Sequence, residues 1–314
     1  MNDNRPTGQA ALVPDDHEGG AVGRIVAHHG KVVKIAWSGG ELEWKRPHRE
    51  EWVVGDLVLF EKERPKRIKP RKNEFIRKGP GGGVDTLAAN LDFLLIVTCC
   101  GDLYKPALLD RFIVAATHAG ITPLISLNKT DLPDSDEYKK ALEDYSSLGY
   151  RAIPVSAVSG EGLEELGRLL SSGISAMVGQ SGVGKTSILN RIAPGYEASV
   201  AEISGYSGKG RHTTTMAVMI PLPGGGAVID SPGIRQFAPA GIEPEDLAHN
   251  FPGVGPFSRS CKFRDCTHET EPGCAVKNAV DAGELAEERY SSYLRILDSI
   301  RDGRDQDWWR RPEK

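Results

Sequence analysis

The chain has 314 residues, of which 39% are hydrophobic and 26% charged, and its formal net charge is −4. This length exceeds that of a typical single domain, so we expect two or three domains, each with its own apolar core. The slightly acidic charge balance excludes a generic binder of polyanions, and no apolar run approaches the roughly 20 residues that a membrane span needs.

Residues 1–20 form a polar stretch without the apolar centre that is typical of signal peptides. Their composition predicts a disordered lead-in. Together with the missing membrane segment, this stretch favours a cytoplasmic protein.

Short β-rich runs alternate with turns from about residue 21 to residue 80. The predicted strands are residues 23–26, 32–37, 52–54 and 56–60. Several short strands at this spacing predict a small barrel of the oligonucleotide-binding (OB) type. The Gly-rich stretch 78–83 then predicts a linker to the next domain.

A basic run closes this predicted barrel, since residues 62–78 contain nine Lys or Arg and two Glu. Trp37, Trp44 and Trp52 come shortly before it in the chain. Small barrels present such basic and aromatic surfaces to nucleic acid, and the binding weakens steeply with salt. A solvated charge run without a ligand is the alternative interpretation.

Predicted strands and helices alternate from about residue 85 to residue 240, which is typical of a mostly parallel sheet covered by helices. The predicted strands are residues 92–97, 121–127, 152–155, 174–178, 216–220 and 227–229. The predicted helices are residues 107–118, 134–148 and 162–170, with a fourth that begins near residue 185.

A phosphate-binding loop (P-loop) follows the strand at 174–178, because residues 179–186 match G-x-x-x-x-G-K-[S/T]. Its glycines let the backbone wrap closely around phosphate, at the start of a helix. Lys185 would bridge the β- and γ-phosphates, and Thr186 would bind Mg²⁺. A Gly-rich turn without a ligand is the alternative. The predicted nucleotide-binding residues here are Gly179, Gln180, Ser181, Gly182, Val183, Gly184, Lys185, Thr186 and Ser187.

A guanine-selective tetrapeptide, Asn128-Lys129-Thr130-Asp131, ends the strand at 121–127. The Asp131 carboxylate can accept two charge-assisted hydrogen bonds from guanine, whereas adenine would leave it unpaired. The stem of Lys129 would pack over the base. Alone, the tetrapeptide is compatible with a solvated turn, but together with a P-loop it favours GTP over ATP.

The order of these motifs is unusual, because the base-selecting tetrapeptide precedes the P-loop. In an ordinary GTPase the P-loop comes first. The same pieces in a cyclically shifted order predict a circularly permuted GTPase. After the strand at 152–155, Ser156-Ala157 would contact guanine O6 through a backbone N–H group.

A D-x-x-G motif, Asp230-Ser231-Pro232-Gly233, follows the last core strand. Asp230 would reach Mg²⁺ through water, and the Gly233 N–H would sense the γ-phosphate. One hydroxyl of the threonine run 213–215 would complete the Mg²⁺ shell, and we favour Thr214 for this role.

The group that orients the attacking water differs from that of Ras-like enzymes, because Ile234 stands where those enzymes use glutamine. His212, beside the threonine run, is the best candidate for this catalytic role, and Gln236 is a weaker one. An exposed histidine without a catalytic role is the alternative. With Lys185 as the other catalytic residue, we expect slow basal turnover that rises sharply with a partner.

Cysteine and histidine residues cluster in a helical region at 241–303, which a tail at 304–314 follows. The spacing is Cys261-x₄-Cys266-x-His268-x₅-Cys274. In a reducing compartment such a cluster favours metal over disulfides, and Cys₃His is a closed tetrahedral set for one structural Zn²⁺. Unliganded cysteines and a catalytic zinc are the alternatives.

Taken together, these motifs resemble the RsgA family, circularly permuted GTPases that act on the small ribosomal subunit. The resemblance covers residues from about 21 to 300. It rests on N-K-T-D before G-Q-S-G-V-G-K-T-S, then G-R-H-T-T-T, D-S-P-G and C-K-F-R-D-C-T-H-E-T-E-P-G-C-A-V. It implies an N-terminal OB barrel, a permuted GTPase core and a C-terminal zinc domain. It also implies binding to small-subunit ribosomal RNA, ribosome-stimulated GTP hydrolysis and a role in late subunit maturation, and His212 matches the family's proposed water-orienting histidine.

The leading hypothesis is a GTP phosphohydrolase, expected to be a monomer, that uses Mg²⁺ with GTP and assists small-subunit assembly. One alternative is a passive RNA-binding module that has lost hydrolysis. Ile234 is compatible with it, whereas intact Lys185, Asp230 and Thr214 argue against it. The other is a permuted GTPase that serves a membrane or a protein partner, and the basic barrel argues against that one. Because the chain runs from Asp230 straight into the zinc region, we expect residues 235–245 to pass the nucleotide state to that region.

Overall fold

The structure is a computed structural model that describes residues 12–13, 21–48, 50–78, 83–194, 216–231 and 242–301. The predicted lead-in is thus described only at residues 12–13, where Leu12 is buried in the same core as the barrel. The predicted tail lies outside the described residues. Within the described ranges, none of the helices combines the length and the apolar character that crossing a bilayer requires.

Five strands build the N-terminal barrel. They are β1 (Val22–His29), β2 (Val32–Trp37), β3 (Gly40–Lys45), β4 (Leu57–Glu61) and β5 (Arg64–Ile68). All of their ladders are antiparallel, in the order β3-β2-β1-β4-β5. A register shift between Ile25 and Ala27 marks a bulge in β1, which re-aims its second half. This arrangement confirms the predicted OB-type barrel.

The prediction of a barrel strand at residues 52–54 is wrong. These residues form an irregular segment that ends in a turn at Gly55, whose φ is +97°. Trp52 and Val54 are nonetheless almost fully buried, and the N–H of Val53 donates to the Asp56 carboxylate at 2.8 Å. The apolar residues therefore fill the barrel core from a loop, so their burial did not require a ladder.

The predicted linker at 78–83 also needs correction. β6 (Glu74–Lys78) and β7 (Val84–Ala89) lie on either side of it and pair with each other as antiparallel strands. The Gly-rich stretch therefore connects two paired strands of a hairpin.

Six further strands form the core part of the sheet. Its strands are β8 (Phe93–Cys99), β9 (Thr122–Asn128), β10 (Arg151–Pro154), β11 (Ile174–Val178), β12 (Met216–Pro221) and β13 (Ala227–Asp230), in the spatial order β10-β9-β8-β11-β13-β12. The ladders from β10 to β13 are parallel, and β12 is antiparallel to β13. The prediction of a mostly parallel sheet is confirmed.

Helices cover both faces of this sheet. They are α1 (Pro106–His118), α2 (Ser135–Ser147), α3 (Leu163–Leu170) and α4 (Lys185–Ile192). Along β8, Leu94 packs in the apolar cluster that contains α1 and α2, whereas Leu95 packs in the cluster that contains α3 and α4. A strand that is buried on both faces reads as a continuous apolar run, and this is why β8 was predictable.

The barrel and the core share one sheet. β12 pairs antiparallel with the second half of β1, in a register that places Ala27 opposite Val218 and His29 opposite Met216. The sequence did not predict this ladder, because it joins strands from the two ends of the described β structure.

Three short helices and a longer one form the described part of the C-terminal region. They are α5 (Pro244–Asn250), α6 (Gly255–Ser258), α7 (Ala275–Asp281) and α8 (Glu287–Arg301). Their apolar cluster includes Val114 of α1, so this region packs against the core through α1.

A buried carboxylate joins the core to the C-terminal region. Asp110 of α1 is 1% exposed and accepts hydrogen bonds from Arg289 at 2.6 Å, Ser292 at 2.7 Å and Tyr145 at 2.8 Å. The Arg289 guanidinium also lies 4.5 Å from the centre of the Tyr145 ring. Asp110 therefore connects α1, α2 and α8 at one point.

Candidate nucleotide site and metal centre

The predicted nucleotide motifs meet at one edge of the sheet. β9, β10, β11 and β13 run parallel, so their carboxyl ends lie at the same edge. Asn128 ends β9, Ser156 follows β10, Gly179 follows β11, and Asp230 ends β13. The chain crosses from β10 back to β11 beside β8, and open α/β sheets bind ligands at such a switch point. Circular permutation thus leaves the site's pieces adjacent.

The P-loop takes a backbone path that requires glycine. Gly179, Gly182 and Gly184 have φ values of +142°, +88° and +97°. A Cβ at Gly179 would collide with the carbonyl of Val97, and one at Gly184 with the Asn128 amide. These glycines let the loop lie tightly against β8 and β9.

The Lys185 ammonium group is anchored over this loop. It donates to the carbonyl of Gly179 at 2.6 Å and to that of Gln180 at 2.8 Å. Thr186 and Ser187, in the first turn of α4, are exposed. The side-chain oxygen of Gln180 is buried and accepts no hydrogen bond from the described residues. The loop therefore offers a cation, hydroxyls and a helix N-terminus to an anion.

Asn128 links the three loops that would contact the nucleotide. Its Nδ2 donates to the carbonyl of Val183 at 2.8 Å, and its Oδ1 accepts from the N–H of Ala157 at 3.1 Å. The side chain is 2% exposed. Asn128 thus has a structural role in the site, which the motif alone did not reveal.

The carboxylate of Asp131 is oriented by its neighbours. Ser156 Oγ donates to it at 2.6 Å, and the same Oγ accepts from the N–H groups of Val158 and Ser159. Lys129 adopts a positive φ of +63°, which turns the chain between Asn128 and Asp131. The structure therefore brings together the residues predicted to read guanine.

Glu161 is a residue of this edge that the sequence did not indicate. Its carboxylate accepts from Thr130 Oγ1 at 3.1 Å and joins the tetrapeptide to the loop after β10. Arg191 of α4 also contacts this loop. Neither residue belongs to a spacing motif, so only the folded chain identifies them.

Part of the predicted site lies outside the described residues. This applies to His212, Thr214, Gly233, Ile234 and Gln236. Asp230 and Ser231 are described at the end of β13, where Ile229 pairs with Ala176 of β11. Asp230 is therefore held one strand away from the P-loop.

The four predicted zinc ligands converge. The ligand atoms of Cys261, Cys266, His268 and Cys274 all lie within 4.8 Å of one another. His268 Nδ1 is 3.4 Å from both Cys261 Sγ and Cys274 Sγ, and those two sulfur atoms are 3.9 Å apart. Zn–S bonds of about 2.3 Å in a tetrahedron place sulfur atoms roughly 3.8 Å apart. The cluster therefore has the size and the donors of a Cys₃His zinc site.

The surroundings of the cluster orient its ligands. The N–H of Ala275 donates to Cys261 Sγ at 3.3 Å, and Tyr290 donates to the carbonyl of His268 at 2.6 Å. His268 has a positive φ of +63°. Burial, and then the neighbouring thiols, raise the pKa of Cys266 to about 12. A bound cation would favour the thiolate.

The nucleic-acid surface of the barrel stays a prediction, and the contacts within the barrel show which of its residues have structural roles. Trp52 is 1% exposed and belongs to the core, so its prediction as a surface residue is wrong. Trp37 stacks on Phe60 with ring centres 4.6 Å apart. Within the basic run, Arg71 pairs with the buried Asp56 at 2.7 Å, and Lys72 pairs with Asp92 at 2.9 Å. These two cations support the fold.

The sequence model of the RsgA GTPase family matches residues 68–239, which is more than half of the chain. A Saccharophagus degradans protein named small ribosomal subunit biogenesis GTPase RsgA is 37% identical, over 93% of this chain and 92% of that protein. A Haemophilus influenzae protein of the same name is 40% identical, over 81% of this chain and 77% of that protein.

Two solved structures share the fold. YjeQ from Thermotoga maritima has a TM-score of 0.73 and 32% identity, over 89% of this chain and 98% of that chain. The circularly permuted GTPase YloQ has a TM-score of 0.69 and 28% identity, over 96% of this chain and 100% of that chain. With these matches and the permuted motifs at one sheet edge, the chain is a circularly permuted GTPase that belongs to the RsgA GTPase family.

Proposed function

We propose that this GTPase binds the small ribosomal subunit and its ribosomal RNA, hydrolyses GTP with stimulation by the subunit, and assists late small-subunit maturation. The observation that carries the proposal is the alignment, over 93% of the chain, with a relative whose name states small ribosomal subunit biogenesis. We further propose that the protein is cytoplasmic and acts as a monomer.

In this proposal, contact with the subunit and GTP hydrolysis are divided among three regions. The barrel (21–80) and the zinc region (241–303) contact the subunit, and the core (85–240) binds and hydrolyses GTP. The ladder between β1 and β12 and the contacts of Asp110 support this arrangement, because they connect both outer regions to the core.

Guanine recognition is assigned to the edge formed by β9 and β10. Asp131 accepts from N1–H and N2–H of the base, and Lys129 packs over its face. The N–H of Ala157, which donates to Asn128 Oδ1 at 3.1 Å in this structure, is shared with O6 when the base is bound. The hydrogen bond from Ser156 to Asp131 supports this assignment, since it fixes the carboxylate in one orientation before the base arrives.

Phosphate binding is assigned to the P-loop and α4. The backbone N–H groups of residues 179–187 and the Lys185 ammonium group neutralise the β- and γ-phosphates, including the charge that develops during hydrolysis. The contacts of Lys185 with the Gly179 and Gln180 carbonyls support this role, because they hold its charge at the loop.

Magnesium is expected to accompany GTP. Thr186 in the first turn of α4 and Asp230 at the end of β13 are the described oxygen donors that fit this cation. Thr214 is proposed as a further hydroxyl ligand. When bound, Mg²⁺ neutralises charge on the phosphate oxygens.

Zinc is proposed as a structural ion held by Cys261, Cys266, His268 and Cys274. The distances among their ligand atoms fit a tetrahedral site with no open position. Its chemistry is to stabilise the C-terminal region, with no part in hydrolysis.

His212 is proposed to orient the attacking water, because Ile234 has no hydrogen-bonding side chain. Replacing His212 with Ala should lower subunit-stimulated turnover by about 10²-fold or more, the typical contribution of a positioned acid–base group. GTP affinity should stay unchanged. Stimulated turnover at the wild-type rate would remove His212 from the mechanism.

One assay tests the proposed function directly. GTP turnover is measured with and without purified small ribosomal subunits, at two salt concentrations, with large subunits as the control. Small subunits should raise the rate, and the effect should weaken at the higher salt concentration because phosphate contacts release counterions. Equal rates with and without small subunits would contradict the proposal.

A further inference from the structure

The loop after β10 is held by a side chain of the phosphate-binding helix. Arg191 lies in the last turn of α4. Its Nη1 donates to the carbonyl of Ala157 at 3.1 Å and to that of Val158 at 3.4 Å. The peptide unit between these two residues is also held at its other end, since the Val158 N–H donates to Ser156 Oγ at 3.2 Å. This peptide therefore has a hydrogen bond on its oxygen and on its nitrogen.

Fixing this peptide also orients the N–H group of Ala157, which is proposed to contact the base. The N–H of Ala157 donates to Asn128 Oδ1 at 3.1 Å, on the nucleotide edge. Because peptide units are planar, only the φ and ψ of Ala157 separate its N–H from its carbonyl. A carbonyl held by Arg191 thus limits the directions in which that N–H can point.

The backbone next to this contact leaves room for the guanidinium. A Cβ at Gly160 would lie 2.9 Å from Arg191 Nη2, and Gly160 has a φ of +92°. The Arg191 side chain therefore passes close to the backbone at Gly160 as well as contacting the two carbonyls. A larger residue at Gly160 would displace it.

The contact of Arg191 with this loop links two parts of the site, because of where Arg191 lies on α4. α4 begins with Lys185 and Thr186, the two residues assigned to phosphate and magnesium, and Arg191 lies on the same helix. Its hydrogen bonds therefore connect the phosphate-binding helix to the loop that would contact guanine O6. Asn128 makes a second connection of this kind through the Val183 carbonyl.

We propose that Arg191 is a positioning residue for guanine recognition, which holds Ala157 so that its N–H, now donating to Asn128 Oδ1, can be shared with O6 of the base. The inference rests on the proposed guanine site at Asp131 and Ala157. It gives the site a property that the motifs lack, because the placement of the base-reading loop then depends on the helix that binds the phosphates.

The test compares the affinities of the full-length protein for GDP, for 6-thio-GDP, in which sulfur replaces O6, and for IDP, which lacks N2. The variants are Arg191→Met, which keeps the stem, and Arg191→Lys, which keeps the charge. The control is Arg168→Met on α3, whose exposed guanidinium pairs with Glu164 at 3.2 Å.

Arg191→Met should weaken GDP binding about threefold to tenfold, the range that corresponds to the net contribution of one typical hydrogen bond. Binding of 6-thio-GDP should change less, so the preference for GDP over 6-thio-GDP should narrow. The preference for GDP over IDP reports the Asp131 contact and should stay constant. Arg191→Lys should restore part of the GDP affinity, and Arg168→Met should match the wild type.

Two results would overturn the proposal. One is an Arg191→Met variant with the affinities of the Arg168→Met control. The other is an equal loss of affinity for GDP and 6-thio-GDP, because that loss would place the effect at the phosphates. A wild-type protein that binds ADP as tightly as GDP would contradict the guanine site itself, which distinguishes that failure from these two.

Discussion

The nucleotide edge is built from four short motifs and the Cys₃His cluster from four single residues, and the chain brings these parts together in different ways. At the nucleotide edge, Asn128, Ser156, Gly179 and Asp230 follow strands of one parallel sheet, and the ladders hold them in place. In the cluster, the ligands lie within residues 261–274, between short helices. The ladders of the sheet fix the first site, whereas we expect the second site to depend on the ion it would bind.

The largest expected effect is the loss of the metal ion from the Cys₃His cluster. Cys266→Ala should abolish stoichiometric zinc binding and unfold the region 242–301, since structural zinc contributes about 10–16 kcal/mol in small zinc-binding peptides. GDP affinity should change little, because the sheet that carries the nucleotide edge remains. Metal analysis, limited proteolysis and GDP binding measure the three outcomes.

Cys100→Ala is the control for that experiment, because Cys100 is 3% exposed and lies in the core rather than in the cluster. It should keep its zinc. A Cys266→Ala protein that retains both zinc and a protease-resistant C-terminal region would show that the cluster is not the metal site.

The next effect concerns the nucleotide edge. Asp131→Asn should weaken GDP binding by about 10²-fold or more, because two charge-assisted hydrogen bonds are lost. The same variant should gain affinity for xanthosine diphosphate, whose C2 carbonyl can accept from the new amide. Thermal stability should stay close to that of the wild type, as expected for a site that the sheet holds.

Asp134→Asn serves as the control, since Asp134 is exposed at the start of α2 and makes no capping hydrogen bond. It should bind GDP like the wild type. If Asp131→Asn bound both diphosphates like the wild type, Asp131 would not be the base-reading carboxylate.

The third effect is on stability rather than on affinity, and it lies where the core meets the C-terminal region. Arg289→Met leaves Asp110 buried without its cation, which costs about 3–5 kcal/mol for a buried pair. Unfolding in urea, followed by separate probes in the core and in α8, should show the C-terminal region separating first. Adding Asp110→Asn should recover part of the loss because the buried charge is removed. A double variant no more stable than Arg289→Met would argue against this explanation.

The smallest effect is a pH dependence at the barrel–core ladder. Burial, followed by the charge of Arg46, lowers the pKa of His28 below 6.5 in the folded protein. The unfolded chain therefore binds a proton more readily, so stability falls as pH decreases from about 6.5 toward the folded pKa. His28→Gln should flatten this part of a stability–pH profile. An unchanged slope would assign the dependence to other groups.

The sequence predicted those parts of the fold that local patterns encode. β8 and β11 are apolar runs, so these two strands were predicted. The P-loop and the tetrapeptide are contiguous motifs with fixed spacing, so their places at the ends of strands were predicted as well. The convergence of the four zinc ligands was predictable for the same reason. The order of motifs also indicated permutation, and a parallel sheet restores the site whatever the order.

Other parts of the fold could not be predicted from the sequence, because they depend on contacts between residues that are distant in the chain. β3, β5 and β6 carry charged residues and no apolar run, so their strand character comes from pairing. Trp52 and Val54 show the converse, since apolar residues were buried without a ladder. From the sequence alone, Asp110 would be placed on the exposed face of an amphipathic helix. It is buried because α8 packs over it.

The expected path from the nucleotide to the zinc region needs revision in one respect. Residues 232–241 lie outside the described part of the chain, so the proposed connection through 235–245 stays a prediction. The structure adds another route, because α1 begins shortly after β8 beside the P-loop and packs on α5 and α8. Asp110 is the polar centre of that contact.

The ladder between β1 and β12 also constrains how the protein is made. β1 is among the first strands to leave the ribosome, yet the strand that covers its second half is the second-last of the core. Until β12 is synthesised, the edge at Ala27–His29 has no partner from the core, and an unpaired edge invites pairing with other chains. Contacts so distant in sequence also slow folding. The barrel thus completes its fold late although its sequence comes first, so a fragment that ends before β12 should aggregate more readily than the full chain.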